Sequence, residues 1–259
     1  MIRPMKTTPR QPLARRLAAA GLIGCSLLAT LAVAAPPPFE NSMAQRTLAC
    51  TACHGPQGRA APDGYYPRLA GKPAGYLYNQ LLNFREGRRH YGLMTRLIDP
   101  LTDAYLLEMA LHFSALDVPY PPPARLSALA PAAVLRLGEQ LVLQGDPQRK
   151  VPACVQCHGQ AMTGVAPAVP GLLGLPRDYL NAQLGAWKTG QRRAHAPDCM
   201  RDVVSRLSLE DINAVASWVA AQPLPANTHP AAAPPPGADS LRCGSAPLPA
   251  APAGSKAPS

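Results

Sequence analysis

Two short runs carry the densest chemistry in the chain: Cys50-Thr51-Ala52-Cys53-His54 and Cys154-Val155-Gln156-Cys157-His158. Cys-x-x-Cys-His is the attachment signature of a c-type haem. The two thiols add across the two vinyl groups of the porphyrin, and two intervening residues match the vinyl separation when the segment is helical. The adjacent histidine then lies under the ring, in reach of iron. These six residues are candidate cofactor-binding residues, and His54 and His158 are candidate iron ligands. Paired cysteines also make zinc ribbons, and one Cys-x-x-Cys makes a thioredoxin-like redox site. Neither accounts for a histidine after the second cysteine in both copies.

The remaining cysteines follow from the N-terminus. Residues 1–34 carry five basic residues and no acid, and an apolar run, Leu17 to Ala34, ends in Ala32-Val33-Ala34. This is the pattern of a secretory signal peptide. An uncleaved anchor is the alternative, because about 18 apolar residues reach the short edge of a membrane span. Leu22-Ile23-Gly24-Cys25 resembles a lipobox, yet the apolar run continues beyond it. Cleavage removes Cys25. Setting aside the four motif thiols leaves Cys199 and Cys243, an even remainder in an oxidising compartment, where a disulfide is expected. The expected location is the periplasm.

The two motifs head an internal repeat. Tyr66-Pro67-Arg68-Leu69-Ala70-Gly71 matches Val169-Pro170-Gly171-Leu172-Leu173-Gly174, and Tyr76 to Leu81 matches Tyr179 to Leu184. Met94 and Met200 each stand seven residues before a matched leucine, Leu101 and Leu207, and far downstream of the haem histidine. That shared register makes them the candidate distal iron ligands. His90 and His195 are the rival pair, set among arginines that suit a solvated surface. Arg85, Arg88, Arg89 and Lys188, Arg192, Arg193 form basic clusters before the two methionines; they are candidate docking charge or ordinary solvated helix ends.

The elements that must hold these residues read as helices. Ser42 to Cys50 and Pro131 to Gln144 precede the motifs. Pro73 to Gly87 and Pro176 to Gly190 start at proline and stop at glycine. Thr102 and Ser208 are candidate N-caps, and Ser208 to Asp211 approximates a capping box. The helices behind them carry Leu106, Leu107, Ala110, Leu111 and Ile212, Val215, Ala216, Val219 at helical spacing. No alternating strand stands out, so the expected fold class is all-α. Trp187, Trp218, Phe84 and Phe113 are expected in packing. The expected organisation is a signal peptide over 1–34, one domain over 35–118, a proline-rich linker over 119–130, a second domain over 131–222 and a Pro/Ala-rich tail over 223–259.

Composition bounds the function. The 259 residues carry a net charge of +10, which falls to +5 once the leader is removed. That is too little to indicate nucleic acid. Only 5% of residues are aromatic, which disfavours a large β-sandwich, and the 32 prolines concentrate in linker and tail. Domains this small bury little core alone; a covalent haem supplies a rigid apolar body.

These residues together resemble the dihaem cytochrome c-four family, tandem class I c-type cytochromes. The resemblance covers about residues 40–222. It implies two haem-bearing cytochrome domains that carry single electrons, with Met200 and, less directly, Met94 as axial ligands. It implies that the Pro67 carbonyl, and Pro167 or Pro170 in the second half, receives the haem histidine N–H. It assigns Arg68 to a haem propionate; Gly171 replaces that arginine in the second half. Implied partners are redox proteins such as a quinol–cytochrome c reductase and a terminal oxidase, with no nucleic acid and no catalytic residues. An uncleaved leader would add membrane association. The alternatives are a dihaem peroxidase-type enzyme and the cytochrome subunit of a membrane-associated dehydrogenase.

Overall fold

The computed structural model describes residues 40–61, 64–123, 130–236 and 242–249. The leader and residues 124–129 of the linker lie outside the described residues. From Asn41 onward, the described residues belong to one compact unit.

In the first half, Ser42 caps α1 (Met43–Arg46) and α2 (Leu48–His54) follows. The single helix expected from Ser42 to Cys50 is broken at Thr47, whose hydroxyl donates back to the Met43 carbonyl at 2.7 Å. Such local bonding offers the backbone an alternative to continuing the helix. Pro73 precedes α3 (Ala74–Arg85), α4 is Gly92–Ile98, and Thr102 caps α5 (Asp103–Ser114). The second half repeats the plan with α6 (Ala132–Leu143), α7 (Cys154–His158), α8 (Arg177–Lys188), α9 (Cys199–Ser205) and α10 (Leu209–Ala220). Ser208 and Asp211 form the complete capping box of α10. Among the described residues a short two-stranded sheet departs from all-helix: β1 (Gly164–Val165) pairs antiparallel with β2 (Val169–Pro170). Two-residue strands are too short for alternation to show in a sequence.

Each half has its own core. Leu77, Leu82, Leu106 and Phe113 anchor the first, where α3 packs on α5. Leu141, Val142, Trp218 and Val219 anchor the second, where α6 packs on α10. That crossing closes at Gly138: a Cβ there would lie 2.2 Å from the Ala214 carbonyl oxygen.

The described parts of the linker and tail pack against the two halves. Arg68 donates to the carbonyls of Val118 and Pro119, and its guanidinium lies 3.8 Å from the Tyr120 ring. Ala231 bridges to Val165, and Ala246 is buried in the first core. The expected Cys199–Cys243 disulfide is present, with Cα atoms 5.4 Å apart.

Candidate haem-binding site

Each attachment motif forms one short helix ending in its histidine, α2 and α7. The turn beyond needs glycine: Gly55 has φ +74°, and a Cβ there would lie 2.3 Å from the Ala60 oxygen. That turn brings the following loop back over the histidine. His54 Nδ1 lies 2.8 Å from the Pro67 carbonyl oxygen, and His158 Nδ1 lies 2.7 Å from that of Pro170. A carbonyl only accepts, so Nδ1 carries the proton in both rings and Nε2 keeps its lone pair. A hydrogen bond at the far nitrogen is the usual way a metal-binding imidazole is oriented. Of the two prolines open in the second half, Pro170 plays this part; Pro167 instead faces Gly75 of α3. Burial pushes both imidazoles below the usual histidine range, which keeps them neutral.

Cys50, Cys53, Cys154 and Cys157 carry no disulfide. Burial pushes the Cys154 thiol up to about 12 and raises Cys50 and Cys157 as well. Reactive redox cysteines are shifted the other way. Among the described residues no three His, Cys, Asp or Glu side chains converge on one point, so the pairs do not form a four-cysteine cage.

Both motifs open onto one cavity of about 1570 Å³, lined by His54, His158, Met94 and Met200 among others. An ordinary ligand cleft holds about 300–1,000 Å³; this one has room for more than one large group. Trp187 lines it too, with a buried indole N–H that has no partner among the described residues. A cavity with four free thiols, two pre-oriented imidazoles and an orphaned donor fits two porphyrins bearing polar edges.

The methionines stand on helices rather than in loops. Met94 lies on α4 and packs on the first core; Met200 lies on α9 and packs with Val151, Val204, Leu207 and Ile212. The segments that follow the two helices are held alike. Arg85 donates to the Leu101 carbonyl at 3.0 Å, and Lys188, its repeat counterpart, donates to that of Leu207. His90 is exposed. His195 lies 3.0 Å from an Arg88 nitrogen.

These contacts correct the reading of the basic clusters. Arg192 is 4% exposed and Arg89 is half-buried; both lie between the halves, bonded to Gln80 and Gln183. Arg88 pairs with Glu86. Polar hydrogen bonding, not solvent, surrounds most of this charge. Arg68 is correspondingly turned to the linker carbonyls, while still lining the cavity. Phe84, Phe113 and Trp218 are core residues, as their types suggested.

No family model matches the chain. It is similar to the "Thiosulfate dehydrogenase electron acceptor" of Thiomonas intermedia (strain K12), 39% identical over 82% of this chain and 93% of that protein. It is similar to the cytochrome c4 of Thiocapsa roseopersicina, 36% identical over 66% of this chain and 85% of that one. Among solved structures it resembles reduced recombinant cytochrome c4 from Pseudomonas stutzeri, with a TM-score of 0.60 and 29% identity over 69% of this chain and 96% of that one. With two complete attachment motifs on one cavity and this similarity, the chain belongs to the cytochrome c4 family: dihaem c-type electron carriers with covalently bound haem.

Proposed function

We propose that the chain is a periplasmic shuttle rather than an enzyme. Its haems are attached at Cys50 and Cys53 and at Cys154 and Cys157. His54 and Met94 would hold the first iron, and His158 and Met200 the second. The observation that carries this reading is that both His and both Met line one cavity, with the segment after each methionine helix bonded by a matched cation, Arg85 or Lys188. Each bound haem supplies a site for one electron. The chain's residues do the rest: the Pro67 and Pro170 carbonyls orient the imidazoles. Thioether ligation raises a haem potential relative to two histidines. With a histidine and a methionine assigned to each haem, no residue is left over to serve an open site of the peroxidase type.

The similarity to a thiosulfate dehydrogenase electron acceptor favours a thiosulfate-oxidising dehydrogenase as donor, with a terminal oxidase as acceptor. Stopped-flow mixing of the oxidised two-haem protein with a thiosulfate dehydrogenase and thiosulfate tests this. Reduction of both haems within the enzyme's turnover time is expected. Reduction by a quinol–cytochrome c reductase alone overturns the donor assignment. Met94→Ala and Met200→Ala should each remove about half of the far-red sulfur-to-iron band of the oxidised protein. Loss of that band in His90→Ala or His195→Ala, and not in the methionine variants, overturns the ligand set. Fractionation of cells, with the mature N-terminus sequenced, tests export and cleavage.

A further inference from the structure

Lys72 sits directly after the turn that carries Pro67 and Arg68, and it is 3% exposed. Its ammonium reaches out of the first half and donates to the Gly171 carbonyl of the second at 2.7 Å. An ammonium has three N–H donors, and no carboxylate among the described residues pairs with it. A buried cation without an anion is costly, and burial pushes Lys72 down to about 7. Yet it lines the cavity that receives the haems.

The place it reaches is informative. Gly171 follows Pro170, whose carbonyl orients His158, just as Arg68 follows Pro67, whose carbonyl orients His54. The second half therefore has no cation of its own at the repeat position of Arg68, and the ammonium delivered there comes from the other half. The anions that enter this cavity with the cofactor are haem propionates.

We propose that Lys72 anchors a propionate of the second haem across the interface, in place of the arginine that Gly171 lacks. The inference rests on a haem being attached at Cys154 and Cys157. It makes the potential of the second haem depend on a residue of the first half.

The test uses the full two-haem chain as wild type, Lys72→Met, Lys72→Gln and Lys72→Arg. Intact mass first counts the haems; a wild type with fewer than two fails the cofactor reading and not this one. Redox titration is then followed by proton NMR, each haem being identified by contacts to its own attachment helix. At fixed potential, the reduced-to-oxidised ratio of the second haem should fall about tenfold in Lys72→Met, the order that one partly screened unit charge produces nearby. The first haem should change far less, and Lys72→Arg should stay near wild type. Lys72→Gln keeps a donor for the Gly171 carbonyl and drops only the charge, so it should shift as Lys72→Met does. A wild-type ratio in Lys72→Gln, or equal shifts of both haems, overturns the proposal.

Discussion

Arg89 and Arg192 share the same two acceptors. Arg89 donates to Gln80 at 3.1 Å and Gln183 at 2.8 Å; Arg192 donates to Gln183 at 2.8 Å and Gln80 at 2.9 Å. Each arginine also stacks on an aromatic ring of its own half, Phe84 at 4.5 Å and Trp187 at 3.8 Å. All three pairs are repeat counterparts, so the internal duplication has become a reciprocal interface. The like charges are tolerated because every amide oxygen is doubly bonded and each guanidinium lies on a ring.

This reciprocity predicts non-additive stability. Arg89→Met or Arg192→Met alone leaves one donor on each glutamine oxygen and relieves one repulsion. The double variant leaves both half-buried oxygens without their arginine donors, which costs about 0.5–1.5 kcal/mol per hydrogen bond lost. A double-mutant cycle in guanidinium chloride should give a coupling of about 1–2 kcal/mol. Additive losses would show that the shared acceptors do not matter.

A second prediction concerns Gly138, where α6 crosses α10. An added methyl meets the Ala214 oxygen at 2.2 Å and the Trp218 Cβ at 2.8 Å, and neither belongs to a flexible side-chain end. Gly138→Ala should destabilise the second half by roughly 3 kcal/mol through overpacking. Followed at the two haems by NMR, denaturation should unfold the surroundings of the second before those of the first. Simultaneous, unshifted loss of both would refute the close crossing.

The helices of the scaffold were legible because each announces itself: Pro73 and Pro176 open α3 and α8, and Thr102 and Ser208 cap α5 and α10. The attachment motifs were legible for a chemical reason, since thiol spacing is set by the porphyrin. The methionine helices were not. At seven residues each, α4 and α9 are too short to show a period, and they are held by contacts from distant residues. The interface was misread because arginines and glutamines look like surface in a sequence. Only their reciprocal pairing in space makes burial tolerable, and the sequence shows the repeat without showing that its copies face each other.

Asp211 links a helix cap to acid sensitivity. It accepts from the Ser208 N–H at 2.7 Å and from Arg149 at 2.6 Å. Burial pushes its carboxyl up, but these bonds outweigh that and hold it below the ordinary 3.8. A depressed folded value means the contribution is fully present above about pH 4 and is lost as pH falls through the folded value. Asp211→Ala should cost about 1–2 kcal/mol at neutral pH. The gap between wild type and variant should close as the solution is acidified below pH 4. A gap that is constant with pH would show that the charge contributes nothing.

The tail makes the last prediction. The Cys199–Cys243 bridge joins residues 44 apart and ties the tail beside Met200 on α9. Beyond it, the Gly244 N–H donates to Pro197, Asn79 of α3 donates to the Ser245 hydroxyl at 2.6 Å, and the Ala246 N–H donates to Asn79 at 2.8 Å. The tail thus straps the second half's methionine helix to the first half's core. Removing a native bridge around a loop this long costs about 2–4 kcal/mol, by a mechanism that is model-dependent. Cys199→Ser with Cys243→Ser should therefore unfold at lower denaturant, and should not respond to added reductant, whereas the wild type should. Asn79→Ala, with the bridge intact, should cost about 1–2 kcal/mol and open the tail to protease near residue 246. Because the strap holds both halves, the double serine variant should also lose the far-red band of the second haem at lower temperature than wild type. Identical melting of that band in the two proteins would mean that the tail covers the second site without stiffening it.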